Sequence, residues 1–392
     1  MKKLYISAIL IAGFLLSSMQ APQAVIPTQA YPTGLKILIY YDDNDAYSTD
    51  YAGFVANYTA AGNNVTVVTQ STWNFTKNSA ELATFDAVLM SQWGAGNNAF
   101  NETTNIQVQS IVSWLNAGDH MLWVAGDSDF AGDWIANRTN PLLAATGTRF
   151  RLDAGAIADS ESNDQASYRT VANETGVSSP MTDFVTAGFK VMPFHGPTSV
   201  NYWDGSKYWD LRNATLLAGE NILVNSSAAA TALDQDTAVG PDDFYAYSTV
   251  SGNYPMLVAD TGAVTNSVIV VSGERIFSDY KNMYGDSLEK DQTHHNGSTV
   301  VDRLMDYFFV QYASGPQVSE IYIHNRVNTV TATATVTSNV NVTQTEQVPT
   351  TVNNEVTVTS TSKQSAPLNM WASVFALGVV AFAITKKKKF TK

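Results

Sequence analysis

The stretch HMLWVAGDSDFAGD, residues 120–133, joins a buried-type strand to a glycine turn and the opening of a helix. Many α/β enzymes expose a nucleophile at such a turn. Here the exposed positions are Asp127, Ser128 and Asp129, with Asp133 following, and the chain contains no cysteine. A second acidic group, Asp42, Asp43 and Asp45, follows the apolar run LKILIYY at 35–41. Carboxylates gathered at one sheet edge repel one another unless a cation or a shared proton neutralises them. Ca2+ or Mg2+, which take oxygen ligands, is the cofactor such a set would hold. The alternative is that each group caps the helix after it, where the helix dipole favours carboxylates.

Ser128 stands in G-D-S-D-F and not in G-x-S-x-G, so the hydrolase elbow is half matched. His195, His294 and His295 are candidate bases, but no spacing ties any of them to Ser128. A receiver-type phosphorylation site is excluded, because strand three ends in Ser91–Gln92–Trp93 without an acceptor aspartate. The other chemical signal is aromatic. Trp93, Tyr202, Trp203, Tyr208 and Trp209 fall in predicted loops, with His195 near the start of FHGPTSVNYWDGSKYWDL (194–211). Rings of this kind stack on the apolar faces of sugars, and the set is a candidate ligand-binding surface. It reads equally as aromatic cover over the open end of a sheet.

The elements that must position these residues alternate in type. Strands are predicted at 35–41, 64–70, 85–93, 120–126 and 148–155, with helices at 49–62 and 133–147 and over ETTNIQVQSIVSWLNAG, where Val108, Ile111, Val112 and Leu115 share a face. Such alternation predicts a doubly wound, mostly parallel, flavodoxin-like α/β sheet, with any ligand beyond the carboxyl ends of its strands. The loops opening at Asp42, Gln92 and Asp127 then share one rim. In the second half, TLLAGENILVNSS, YPMLVAD and NSVIVVSG read as strands and VVDRLMDYFF as a closing helix. No composition break divides residues 34–312, which are predicted to form one ectodomain, the alternative being a split near residue 183.

The ends carry targeting signals. Lys2 and Lys3, an apolar run and small residues predict a signal peptide over 1–30. Residues 325–365 are rich in Thr, Val and Asn and read as a stalk. The apolar segment 368–385 would span about 27 Å as a helix, enough to cross a bilayer core. Lys386–Lys389 and the rest of 386–392 predict a cytoplasmic tail by the positive-inside rule. Together these predict a single-pass protein of the cell membrane with its bulk outside. N-x-S/T sequons at Asn57, Asn64, Asn74, Asn101, Asn137, Asn173, Asn213, Asn225, Asn296 and Asn341 predict a glycoprotein. Seven of the 22 basic residues lie in the signal and tail, leaving 15 against 35 acids between them. That surface repels phosphate backbones and excludes nucleic acid as a partner, leaving glycans or other surface proteins.

The strand order, the acidic loop after strand one, WVAGDSDFAGD after strand four and VIVVSGERIFSDYKNMYGD further on carry a resemblance. Residues 35–312 resemble the class I glutamine-amidotransferase-like superfamily, in the non-catalytic branch found in archaeal and bacterial surface proteins and in GIFT-type domains of gliding and ciliary transport proteins. The stalk with its terminal anchor resembles archaeal cell-surface proteins, including solute-binding ones. Catalytic members need an elbow cysteine and a His-x-Glu pair. This chain has neither, so glutamine hydrolysis by that mechanism is excluded. The resemblance implies binding, including of carbohydrate, without catalysis. The sequence thus predicts a membrane-anchored ligand-binding or structural surface protein that is not an enzyme, the alternatives being a solute receptor of a transport system and a hydrolase using Ser128 or the acidic rim.

Overall fold

The apolar runs of this chain are continuous where a strand is covered on both sides, and that pattern organises the molecule. In β1 (Lys36–Tyr41), Ile37 and Ile39 enter one core layer while Leu38 and Tyr40 enter another on the opposite face. The same split recurs in β3 (Ala87–Ser91) and β4 (His120–Ala125), with Leu89 and Trp123 on the first face, Val88 and Val124 on the second. The structure is a computed structural model that describes residues 32–42, 50–94, 102–131, 135–235 and 250–313. All of these fall in one compact unit, within Met1–Ala332.

The main sheet has four further strands besides β2 (Asn64–Thr69): β5 (Glu174–Thr175), β6 (Glu220–Asn225), β7 (Pro255–Asp260) and β8 (Ser267–Ser272). Its order is β2-β1-β3-β4-β8-β7-β6-β5. The first five are parallel neighbours, whereas β8–β7, β7–β6 and β6–β5 pair antiparallel. Helices α1 (Ala52–Ala60) and α6 (Gly297–Phe308) cover the first face, and α3 (Glu102–Leu115) and α4 (Asn140–Ala145) the second, beyond the short α2 (Ser79–Leu82). Helix α5 (Pro180–Val185) packs on α6, its N-terminus capped by Ser179. Three small antiparallel sheets are attached, of which the largest joins 150–152, 200–203 and 208–209.

This corrects the expected doubly wound, mostly parallel sheet to a mixed one. The physical reason is loop length. Only residues 261–266 separate β7 from β8, with Asn266 left-handed at φ 55, and a parallel crossover needs about a dozen residues or more. The run at 148–155 becomes part of a small antiparallel sheet and not a strand of the main one.

The expected membrane protein is also corrected. Among the described residues no helix is long and apolar enough to cross a membrane, so a single-pass anchor, an outer ectodomain and a cytoplasmic C-terminus are not supported. The segments 1–30, 325–365, 368–385 and 386–392 lie outside the described residues.

Candidate functional site

The register aligns the carboxyl ends of β1, β3, β4 and β8. Tyr41 faces Ser91, Ser91 faces Ala125, and Ala125 faces Ser272. The next residues of each strand, Asp42, Gln92, Gly126–Asp127 and Gly273–Glu274, therefore share one rim. Glycine is required at two approaches here. A Cβ on Gly273 would stand 1.9 Å from the Thr198 carbonyl, and Gly196, at φ +63, faces Asp127 and Ser128 across van der Waals distance.

At the elbow Asp127 is held on both oxygens. Oδ1 accepts the Ser128 N–H at 2.7 Å, and Oδ2 accepts the Gln92 amide and lies 3.8 Å from the Arg275 guanidinium. Gln92 makes this contact from a left-handed backbone at φ 47, the kind of strain that persists only where surroundings impose it. Arg275 is 1 % exposed and pairs at 3.1 Å with the equally buried Glu274, whose carboxylate also accepts the Arg275 N–H. The strand beneath is locked to this pair: Trp123 donates to Ser272 Oγ, which donates to the Glu274 carbonyl. Asp127 remains 20 % exposed, the open member of a buried charge network.

His195 completes the rim. Its ring stands edge-on to Tyr168 and Tyr280 at 5.4 and 4.8 Å, while Gly196 accepts the Ser128 N–H at 2.8 Å and donates to the Tyr168 carbonyl. Burial, with Arg169, Arg275 and Lys281 nearby, pushes its pKa down to about 4, so the imidazole is neutral near pH 7. No hydrogen bond joins Ser128 Oγ to a histidine among the described residues.

The other acids are engaged one by one. Asp42 is fully buried and accepts from the Gln70 amide nitrogen, turned toward the carboxylate, which lies 3.1 and 3.2 Å from its two oxygens. Asp129 accepts the Gln235 N–H at 2.6 Å. Asp43, Asp45 and Asp133 lie outside the described residues. Among the described residues no three His, Asp or Glu side chains gather closely enough to hold a metal ion.

The aromatic set is divided. Trp93 is core, packed on Tyr40 and Phe75 under the Arg138 guanidinium. Tyr202 is buried at the opposite edge of the sheet, where its hydroxyl reaches Glu220 at 3.1 Å and Arg149 covers its ring. Glu220 faces Asp260, the last residue of β7, which puts this contact at the edge away from Asp127. Trp203, Tyr208 and Trp209 continue outward on the 200–209 hairpin, whose turn is fixed by Asp204 accepting from Ser206, Lys207 and the Trp209 indole. His195 is therefore the one member of the predicted set that lies beside the elbow. The residues missed in the sequence are Arg275, Glu274, Tyr168 and Tyr280. The signal for the first two was a charged pair directly after the strand SVIVVS at the same rim.

Of the sequons, Asn57, Asn64, Asn173 and Asn213 are exposed; Asn74, Asn137, Asn225 and Asn296 are partly buried; Asn101 and Asn341 lie outside the described residues.

No family model matches the chain, and neither does any curated protein. Among solved structures it is similar to one titled "mmIFT52 N-terminal domain", at 9% identity and a TM-score of 0.44, over 69% of this chain and 96% of that one. Neither the structure nor these comparisons support a signal peptide, glycosylation or carbohydrate binding, and those expectations are withdrawn.

Proposed function

We propose that this chain is a non-catalytic, amidotransferase-like binding domain that takes a small polar ligand at the rim formed by Asp127, Ser128, His195, Tyr168 and Tyr280. The observation that carries the reading is the elbow itself. An aspartate stands where a nucleophile would, both of its oxygens are occupied by fixed donors, and its neighbour Ser128 has no histidine base among the described residues. A carboxylate so held is a poor nucleophile and a pre-organised hydrogen-bond acceptor. The aromatic wall of Tyr168, His195 and Tyr280 supplies the apolar surface that small-molecule sites combine with a few polar groups. All described residues belong to one unit around one sheet, which favours the rim over a cleft between lobes and so over a two-lobed solute receptor.

The test is thermal unfolding of the full chain with free amino acids, nucleotides, Ca2+ and Mg2+ as separate probes. A ligand at 100 times its dissociation constant adds about 2.7 kcal/mol of stability. The expected result is a shift with one probe class that is lost in Asp127→Asn and in His195→Phe. A shift that survives both substitutions places binding elsewhere, and release of ammonia from glutamine contradicts the non-catalytic half of the reading.

A further inference from the structure

Residues 279–297 lead from the rim to the first turn of α6 and are tied down at identifiable points. Asp164, itself buried, accepts the Glu289 and Lys290 N–H groups at 3.0 and 2.7 Å and pairs with Arg169 at 2.8 Å. Arg169 also reaches Glu289 at 3.0 Å. The backbone is left-handed at Lys281 and Asn282, with φ 49 and 57, where the Asn282 side-chain amide donates to the Ser287 carbonyl. The segment presents Tyr280 to His195 and so supplies one wall of the rim site.

His295 anchors the far end. It is 1 % exposed, and its Nδ1 accepts the N–H of Gly297, the first residue of α6, at 3.0 Å. Its Nε2 is buried and makes no hydrogen bond of good geometry among the described residues, while the Asn282 backbone favours a proton on the ring. The next residue, Asn296, donates its N–H to the Val191 carbonyl and accepts the Lys190 N–H, each at 2.8 Å. Residues 190–194 then lead directly to His195, so the two histidines sit at opposite ends of one short connection. The groups facing His295 are Asp286, Asp164 and His294, and those facing His195 are Arg169, Arg275, Lys281, Tyr168 and Tyr280. The remaining described histidine, His120, stacks on Trp114 at the other end of β4.

We propose that residues 279–297 form an acid-released strap: protonation of His295 and His195 detaches it from the rim and withdraws Tyr280 from the site, while the eight-stranded sheet stays folded. A proton on His295 Nδ1 removes the acceptor of the Gly297 N–H and sets two donors against each other. It also places a cation at the positive end of a 12-residue helix. Asp286 and Asp164 offset part of that cost. At His195 the new charge meets Arg169, Arg275 and Lys281, whose paired carboxylates, Asp164, Glu289, Glu274 and Asp127, offset part of the repulsion. Burial holds both rings at about 4, in accord with this arrangement.

The test is amide hydrogen exchange of the full chain, compared as protection factors between pH 7 and about pH 4. It needs no ligand, so its failure leaves the binding reading untouched. The expected result is that protection across 279–297 falls about tenfold or more while β3, β4 and β8 remain protected, a tenfold change being the effect of one pKa unit. His295→Asn, whose Oδ1 keeps an acceptor for Gly297 but does not titrate, retains the protection. His195→Phe, which keeps ring packing, makes the fall shallower and is the second variant should the first not fold. The proposal is overturned if strap and sheet lose protection together in one step, or if both variants follow the parent chain.

Discussion

The two edges of the sheet use the same residue types for different ends. At the carboxyl edge, Arg275 is 1 % exposed and sits between Glu274 and Asp127, beneath a neutral histidine and two tyrosine rings. At the opposite edge, Arg149 pairs with Glu220 at 3.0 Å and covers Tyr202, but its own side chain is 27 % exposed. Both are arginine–glutamate–tyrosine arrangements. The first is walled in by the strand ends and by Gly273, which lets Thr198 close over it; the second borders a hairpin open to water. A buried pair is costly to break because the surviving charge has no solvent to fall back on. A pair with one partner at the surface, as Arg149 is while Glu220 is 4 % exposed, is partly screened and contributes less. The comparison teaches that charge type says less about the energetic weight of a site than the surface that surrounds it.

The largest effect should follow from Arg275→Ala, which leaves Glu274 and Asp127 facing each other in a buried rim. A loss of about 3–5 kcal/mol in chemical denaturation is expected, and a loss near 1 kcal/mol would show that water already reaches the pair. Next comes pH. His195 and His295 have pKa values near 4, depressed from 6.5. Between those values the unfolded chain binds more protons than the folded one, so stability is full above about 6.5 and falls as the pH drops toward 4. Unfolding midpoints across that range should fall less steeply in His295→Asn. A flat profile in the parent chain would mean that both rings reach solvent.

Arg149→Ala should cost about 1–2 kcal/mol, from a partly screened pair and a cation–π contact, with the buried Glu220 carboxylate still accepting from the Tyr202 hydroxyl and the Leu217 N–H. A cost equal to that of Arg275→Ala would erase the distinction between the two edges. Trp209→Ala should be smallest, below about 1 kcal/mol, because the ring is 41 % exposed and lies under Lys207.

The legibility of these regions in the sequence follows the same division. The inner strands of the parallel half, β1, β3, β4 and β8, appear as apolar runs because both of their faces are buried, whereas the edge strand β2 alternates as NVTVVT, and the elbow is visible as a glycine followed by polar residues. The direction of β7 and β8 was open in the runs YPMLVAD and NSVIVVSG, although the six-residue link between them carries the answer. The candidate site was half legible. Asp42 and Asp127 were placed on one rim by their position after strands, but Arg275 lies 148 positions from Asp127 and nothing local marks it as that residue's partner. The aromatic loop misled in the other direction. Its rings stand close together in sequence, yet Tyr202 points to Glu220 and the hairpin carries the rest away from His195.

By itself the sequence determined the alternation of strands and helices, the absence of a thiol nucleophile, and the acidic elbow after the fourth strand, since each of these is a local matter of residue type and spacing. The tertiary structure alone decided that the sheet is mixed, that the acids are bound separately by Gln70, Gln92, Arg275 and Gln235, and that the half-buried His195 and the buried His295 are neutral. Strand pairing, desolvation and charge compensation depend on which distant segments close over a residue, and no local pattern records that choice.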